Sequence, residues 1–154
     1  MQIRFATTDD LSTLVQLRMD FLSDGGAVWT GEERANKVGE LQAFFASALP
    51  TGELCAVLAE ENGVACSAAY MTVTRRYARR VERICPCGMI YNVYTYPSYR
   101  RRGLATKLME TLIQYAEELG LETVDLLASE EGRPLYEKLG FREPSHTYMA
   151  KRMK

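Results

Sequence analysis

The chain opens with two-residue alternation in "QIRFATTDD", which predicts a strand ending where Thr8, Asp9 and Asp10 offer helix N-caps. Leu11, Leu14, Val15 and Leu17 then recur at helical spacing, so a helix is predicted from residue 10 to about 22, broken by "SDGGAVWTG". A second helix is predicted from Glu32 to Ala48, with Val38, Leu41, Phe44 and Phe45 on one face. "LCAVLAEENGVACSAAYMTVTRR" reads as two strands joined at Asn62-Gly63, a dipeptide suited to a type I′ hairpin turn. "MIYNVYTYP" at 89–97 is β-branched and aromatic, a strand stopped by Pro97. Leu104, Leu108, Leu112, Tyr115 and Ala116 space a third helix that ends near Gly120. "TVDLLA" is a near-continuous apolar strand of the kind buried on both faces. A short helix then carries Leu135, Tyr136 and Leu139, and the segment from 141 to 152 reads as a last strand. The order β-α-α-β-β-β-α-β-α-β predicts an α/β (α+β) chain, a mixed sheet with helices packed on it.

No repeat or linker divides the 154 residues, so a single domain spanning 1–154 is expected. Nineteen basic and twenty acidic residues leave a net charge of −1, which argues against a nucleic-acid partner. The run "RRYARRVER" at 75–83 is then a solvated strand end or loop. No apolar run approaches the roughly 20 residues of a membrane span, and the N-terminus has no signal-peptide pattern. A cytoplasmic protein without a membrane partner is expected. Cys55 and Cys66 sit in apolar strands as small core hydrophobes. Zinc at Cys85 and Cys87 would need two more ligands, and His146 is the single histidine, so no metal is expected.

The chemistry gathers at "YRRRGLATKLM", residues 99–109. A strand delivers the chain to three arginines and Gly103, where a helix begins. Helix starts leave backbone N–H groups unpaired at the positive end of the dipole. Gly103 has no Cβ and Ala105 is small, so a ligand can approach the main chain closely. That makes a candidate diphosphate site, with arginines adding charge around it. The spacing is neither that of a P-loop nor that of a dinucleotide fingerprint.

Arg100-x-x-Gly103-x-Ala105, between "VYTYPSY" and "TKLM", resembles the acyl-CoA signature Q/R-x-x-G-x-G/A of the GNAT N-acetyltransferases. Downstream, "RPLYEKLGF" at 133–141 is similar to that family's A-x-x-L-Y-E-K-L-G-F segment. The resemblance implies a mostly antiparallel, mixed sheet of six to seven strands flanked by four helices, with strands four and five splayed apart around acetyl-CoA. It implies that Val93, Tyr94 and Thr95 pair their backbone with the pantetheine arm, as an added strand does. It places the pyrophosphate on backbone amides of Arg101, Arg102, Gly103, Leu104, Ala105 and Thr106. Arg100, Arg102 and Lys107 are candidates for the 3′-phosphate. Tyr136 is implied as the general acid that protonates the departing CoA thiolate. Ser129 stands where relatives often place an asparagine on the cofactor arm, and Gly132 replaces the usual alanine, a change that looks minor.

The activity so implied is acetyl transfer from acetyl-CoA to a primary amine by direct attack in a ternary complex. A regulatory module that binds acyl-CoA without turnover is the alternative, and relatives often pair as homodimers. An ammonium acceptor calls for carboxylates or aromatic faces. Asp24, Trp29 and Asn92 are the leading substrate candidates, with Asp20, Glu33, His146 and Tyr148 behind them. Asp125 is the acid that the two central strands offer as a general base, and no base is assigned.

Overall fold

The computed structural model describes residues 1–78, 81–145 and 147–153. Its strands are β1 (Gln2–Phe5), β2 (Leu54–Glu61), β3 (Val64–Ala78), β4 (Arg83–Thr95) and β5 (Thr123–Leu126). Its helices are α1 (Leu11–Asp24), α2 (Gly31–Thr51), α3 (Leu104–Glu118) and α4 (Arg133–Lys138). The strands lie in sequence order in one sheet, antiparallel from β1 to β4 and parallel between β4 and β5.

Both faces of the sheet are covered, and the side-chain alternation of β2 shows how. Ala56 and Leu58 join Leu14, Leu17, Phe45 and Tyr70 beneath α1 and α2, whereas Val57 and Ala59 join Leu108, Met109 and Leu112 of α3. The strand is apolar throughout because each parity has its own core. Tyr70 is fully buried, and its hydroxyl donates to the Leu14 carbonyl at 2.6 Å, which ties β3 to α1.

Local chemistry sets the element ends. Thr7, rather than Thr8, Asp9 or Asp10, caps the turn before α1, in a capping box with Asp10. Thr30 and Glu33 form a second capping box at the start of α2. Gly52, at φ 76°, closes α2 in the left-handed region.

An ion-pair network joins β1, the first turn and β2: Arg4 holds Asp10 at 2.8 Å and Glu60 at 2.5 Å. The hydrogen bonds from Arg4 lower the Asp10 carboxyl to about 2. A carboxyl of ~3.9 in the unfolded chain then contributes stability that is complete above pH ~4 and lost as pH falls through about 2. Asp10→Asn should therefore melt below the parent at pH 7 and level with it near pH 2, as thermal scans at both values would show.

Among the described residues the sheet has five strands, fewer than the six to seven expected. No strand follows α4 among the described residues: Tyr148, Met149 and Met153 are 73%, 87% and 77% exposed. Apolar alternation alone cannot hold a strand whose large side chains stand in solvent, as these three do. In the other direction, β4 begins at Arg83, not near 89, because pairing with β3 carries the hairpin outward through a segment of weak strand pattern. Arg76 and Arg83 of the "RRYARRVER" run lie on that hairpin, ion-paired to Asp125 and Glu122. Among the described residues, no helix is long and apolar enough to cross a membrane.

Candidate active site

Two irregularities in β4 open the sheet. Parallel pairing with β5 covers only Cys87 to Ile90, opposite Thr123 to Leu126, and β4 then runs on to Thr95 with that edge unpaired. Asn92 takes a φ of 54°, and the β3–β4 register shifts across Ala68 and Tyr70, so the strand bulges here. The bulge resets the side-chain alternation. Tyr91 and Asn92 both address the α1 side, while Ile90 and Val93 join the α3 core.

The backbone follows the same reset. Tyr96 donates its N–H to Cys66 of β3 and the Ser67 hydroxyl donates to the Tyr94 carbonyl. Thr95 and Val93, of opposite parity, therefore turn their N–H and C=O groups to the open edge. Tyr94 turns its carbonyl toward β3. Its buried side chain donates its hydroxyl to Asp24 at 2.8 Å, and Tyr96 does the same to Asp20 at 2.6 Å.

The open edge leads to the start of α3. Arg101 and Gly103 have φ of 64° and 74°, and these two left-handed residues fold the loop back on itself. No side chain caps α3, and the first main-chain bond back to Gly103 comes from Lys107, at 3.2 Å. The amides of Leu104, Ala105 and Thr106 are left at the positive end of a 15-residue helix. A Cβ built on Gly103 would meet nothing within 4 Å, so the main chain is open to approach at that residue.

The three arginines divide their work. Arg100 donates Nε to the Thr95 carbonyl at 3.0 Å and approaches Asp24 at 3.4 Å. Arg102 stacks over Tyr99 at 5.1 Å, donates to the Ser98 carbonyl at 3.1 Å and faces Glu61 at 3.6 Å. Arg101 is exposed and has no side-chain partner among the described residues. Two cations brace the turn and the third points its charge outward.

Where β4 and β5 part, a cleft of about 120 Å³ is lined by Phe21, Tyr91, Asn92, Val93, Ser129 and Tyr136, among others. A larger depression of about 580 Å³ lies on the outer side of α4, along Glu137, Lys138, Arg142 and Glu143. That surface is open and charged, and none of the residues singled out above reaches it. Burial pushes the Tyr136 phenol above its usual pKa. Its ring packs edge-on to Phe141, 6.2 Å between centroids, and the space over Gly132 receives it. A Cβ at position 132 would stand 2.9 Å from Tyr136 Cε2, so the glycine that looked minor in sequence lets the ring lie where it does. Gly132→Ala should shift the ring and lower kcat several-fold with little change in acetyl-CoA affinity, as steady-state kinetics beside calorimetry would show. The Ser129 hydroxyl accepts from the Gly132 N–H at 3.1 Å and keeps its own proton to donate.

The other candidates disperse. Glu33 caps α2, Trp29 packs partly buried on the α1–α2 core, and Tyr148 is exposed. Asp125, the carboxylate that the central strands offered as a base, is ion-paired to Arg76. His146 lies outside the described residues. Cys85 and Cys87 are buried with their sulfurs 3.6 Å apart, and no three His, Cys, Asp or Glu converge as a metal site among the described residues. One residue was missed altogether. Arg18 stands four residues after Leu14 and three before Phe21, a cation on the buried stripe of α1, and that spacing was visible in the sequence.

Known proteins carry the same architecture. A predicted acetyltransferase from Clostridium acetobutylicum, solved with acetyl-CoA, superposes with a TM-score of 0.85 at 29% identity, over 97% of this chain and 95% of that one. A GCN5-related N-acetyltransferase from Ralstonia eutropha JMP134 superposes equally well at 24% identity, over 99% and 97% of the two chains, and shares the fold. Glucosamine 6-phosphate N-acetyltransferase from Trypanosoma brucei brucei is 44% identical over 55 residues, which is 36% of this chain and 37% of that enzyme. The sequence pattern of the acetyltransferase (GNAT) family matches residues 14–141. With the parted strands, the uncapped α3 and this match along most of its length, the chain belongs to the acetyltransferase (GNAT) family.

Proposed function

We propose that this chain, acting as one domain, transfers the acetyl group of acetyl-CoA to a primary amine by direct attack in a ternary complex. The observation that carries the reading is the unpaired stretch of β4 beyond Ile90, which runs straight to the uncapped start of α3. Val93 and Thr95 offer the pantetheine amides a strand edge, and the amides from Arg101 to Thr106 receive the pyrophosphate. Arg101 and Lys107, both exposed, are placed to neutralise the remaining phosphate charge. Ser129 donates its hydroxyl proton to the arm.

Attack of the neutral amine on the thioester carbonyl forms the C–N bond and builds charge on oxygen, then on sulfur as the C–S bond breaks, and the nitrogen gives up one proton to solvent. Tyr136, kept protonated by burial, meets the developing thiolate as a hydrogen-bond donor. The phenol passes its proton to sulfur as the C–S bond breaks, CoA leaves as the thiol, and the tyrosine regains a proton from solvent.

The reading is tested with a panel of amines in matched pairs: ethanolamine and phosphoethanolamine, tyramine and tyrosine, glucosamine and glucosamine 6-phosphate. Free CoA thiol should appear only when an acceptor is present, one per acetylated amine. Tight binding of acetyl-CoA with no thiol released across the panel would overturn it.

A further inference from the structure

We propose that Arg18 and Asn92 bind an oxyanion, carboxylate or phosphate, carried by the acceptor amine itself. The inference deepens the transfer reading and rests on it for the identity of the ligand as an acceptor.

Arg18 is half-buried on the inner stripe of α1. Its guanidinium lies 5.4 Å from the Phe21 ring and 5.5 Å from the Tyr91 ring, and both residues line the cleft. Aromatic faces offset part of the cost of burying a cation, and a carboxylate would ordinarily supply the rest. None does so among the described residues. The acids on the same helix are committed elsewhere: Asp20 accepts from Tyr96 and Gln16, and Asp24 from Tyr94 and Arg100. Of the five guanidinium donors, one has a partner among the described residues, the Asn92 Oδ1 at 3.3 Å.

That bond orients the Asn92 amide. With Oδ1 turned to Arg18, Nδ2 is left buried and without a partner, on a residue only 3% exposed that lines the cleft. An orphaned buried donor is costly, and here it sits at a bulge whose left-handed backbone adds its own strain. With the amide oxygen taken up by Arg18, the guanidinium and the amide nitrogen side by side present free N–H donors, and these are complementary to an oxyanion. The same cation repels a bare ammonium, so an acceptor with both charges is oriented: anion toward α1, amine toward Tyr136 and the thioester.

The matched pairs above test this, read by thiol release and by calorimetry in the presence of CoA. At least one anionic amine should exceed its neutral partner by about tenfold or more in kcat/KM, and Arg18→Met should cut that ratio to about two or less. Phosphoethanolamine against tyrosine then distinguishes phosphate from carboxylate. Neutral partners that match the anionic ones throughout, or a preference retained in Arg18→Met, would overturn the assignment. Should that variant melt early, Arg18→Gln and the wild-type ratios decide the matter alone. If no amine releases thiol, the transfer reading falls, and calorimetry decides the anion site by itself. Anionic members bound about tenfold tighter than neutral ones support it, and equal affinities refute it.

Discussion

Replacing Gly103 with valine is expected to lower acetyl-CoA affinity by about a hundredfold or more, with only a modest fall in Tm. Gly103 is the N-cap of α3 at φ 74°, a region that costs a β-branched residue on the order of 1–3 kcal/mol. The added Cβ meets no protein atom within 4 Å. It enters the space over the Leu104–Thr106 amides, where the pyrophosphate is proposed to sit. Calorimetry with acetyl-CoA, beside a thermal scan, separates the two effects. Gly103→Ala should show a smaller loss of the same kind, since it brings the strain with less bulk. Binding at wild-type affinity in the valine variant would place the phosphates elsewhere.

Tyr136→Phe should cut kcat by about a hundredfold while acetyl-CoA affinity stays within about threefold of the parent. Phenylalanine keeps the ring against Phe141 and over Gly132, so what is removed is the hydroxyl and its proton. The loss should fall on kcat and kcat/KM alike, the pattern of an interaction made only in the transition state. Burial raises the phenol's pKa, so wild-type activity should show no decline from loss of this proton through neutral and mildly alkaline pH. An unchanged kcat with a good acceptor would remove Tyr136 from the chemistry.

The two predictions differ in how much of their basis sequence could supply. Gly103 announces itself: a glycine between arginines and an amphipathic run marks a helix start that wants close main-chain approach. The consequence of Gly132 for Tyr136 does not, because a glycine beside a short helix has many uses. Only the ring lying 2.9 Å from its Cβ position reveals this one.

The division between arginines is of the same kind. Three in a row are equivalent on paper. In the fold, Arg100 is spent on the Thr95 carbonyl and Asp24, Arg102 on Tyr99 and Glu61, and Arg101 is left over. Which cation is spare depends in part on Asp24, 76 positions before Arg100, and on Glu61, and no local pattern carries that information.

From its sequence alone this chain determined its helices, the hairpin at Asn62-Gly63 and the glycine-led start of α3, whereas "TVDLLA", read as a strand buried on both faces, is the half-buried edge strand β5 with Leu127 70% exposed. Those features rest on spacing within a few residues, where periodicity and backbone preference act directly. Tertiary structure decided the bulge at Asn92, the parting of β4 from β5, the pairing of Arg76 with Asp125, and the setting of Arg18 against Asn92. Each of these joins segments distant in the chain, or breaks a regular pattern to suit such a junction. A side chain's usefulness there depends on what remains unpaired after the whole sheet has packed.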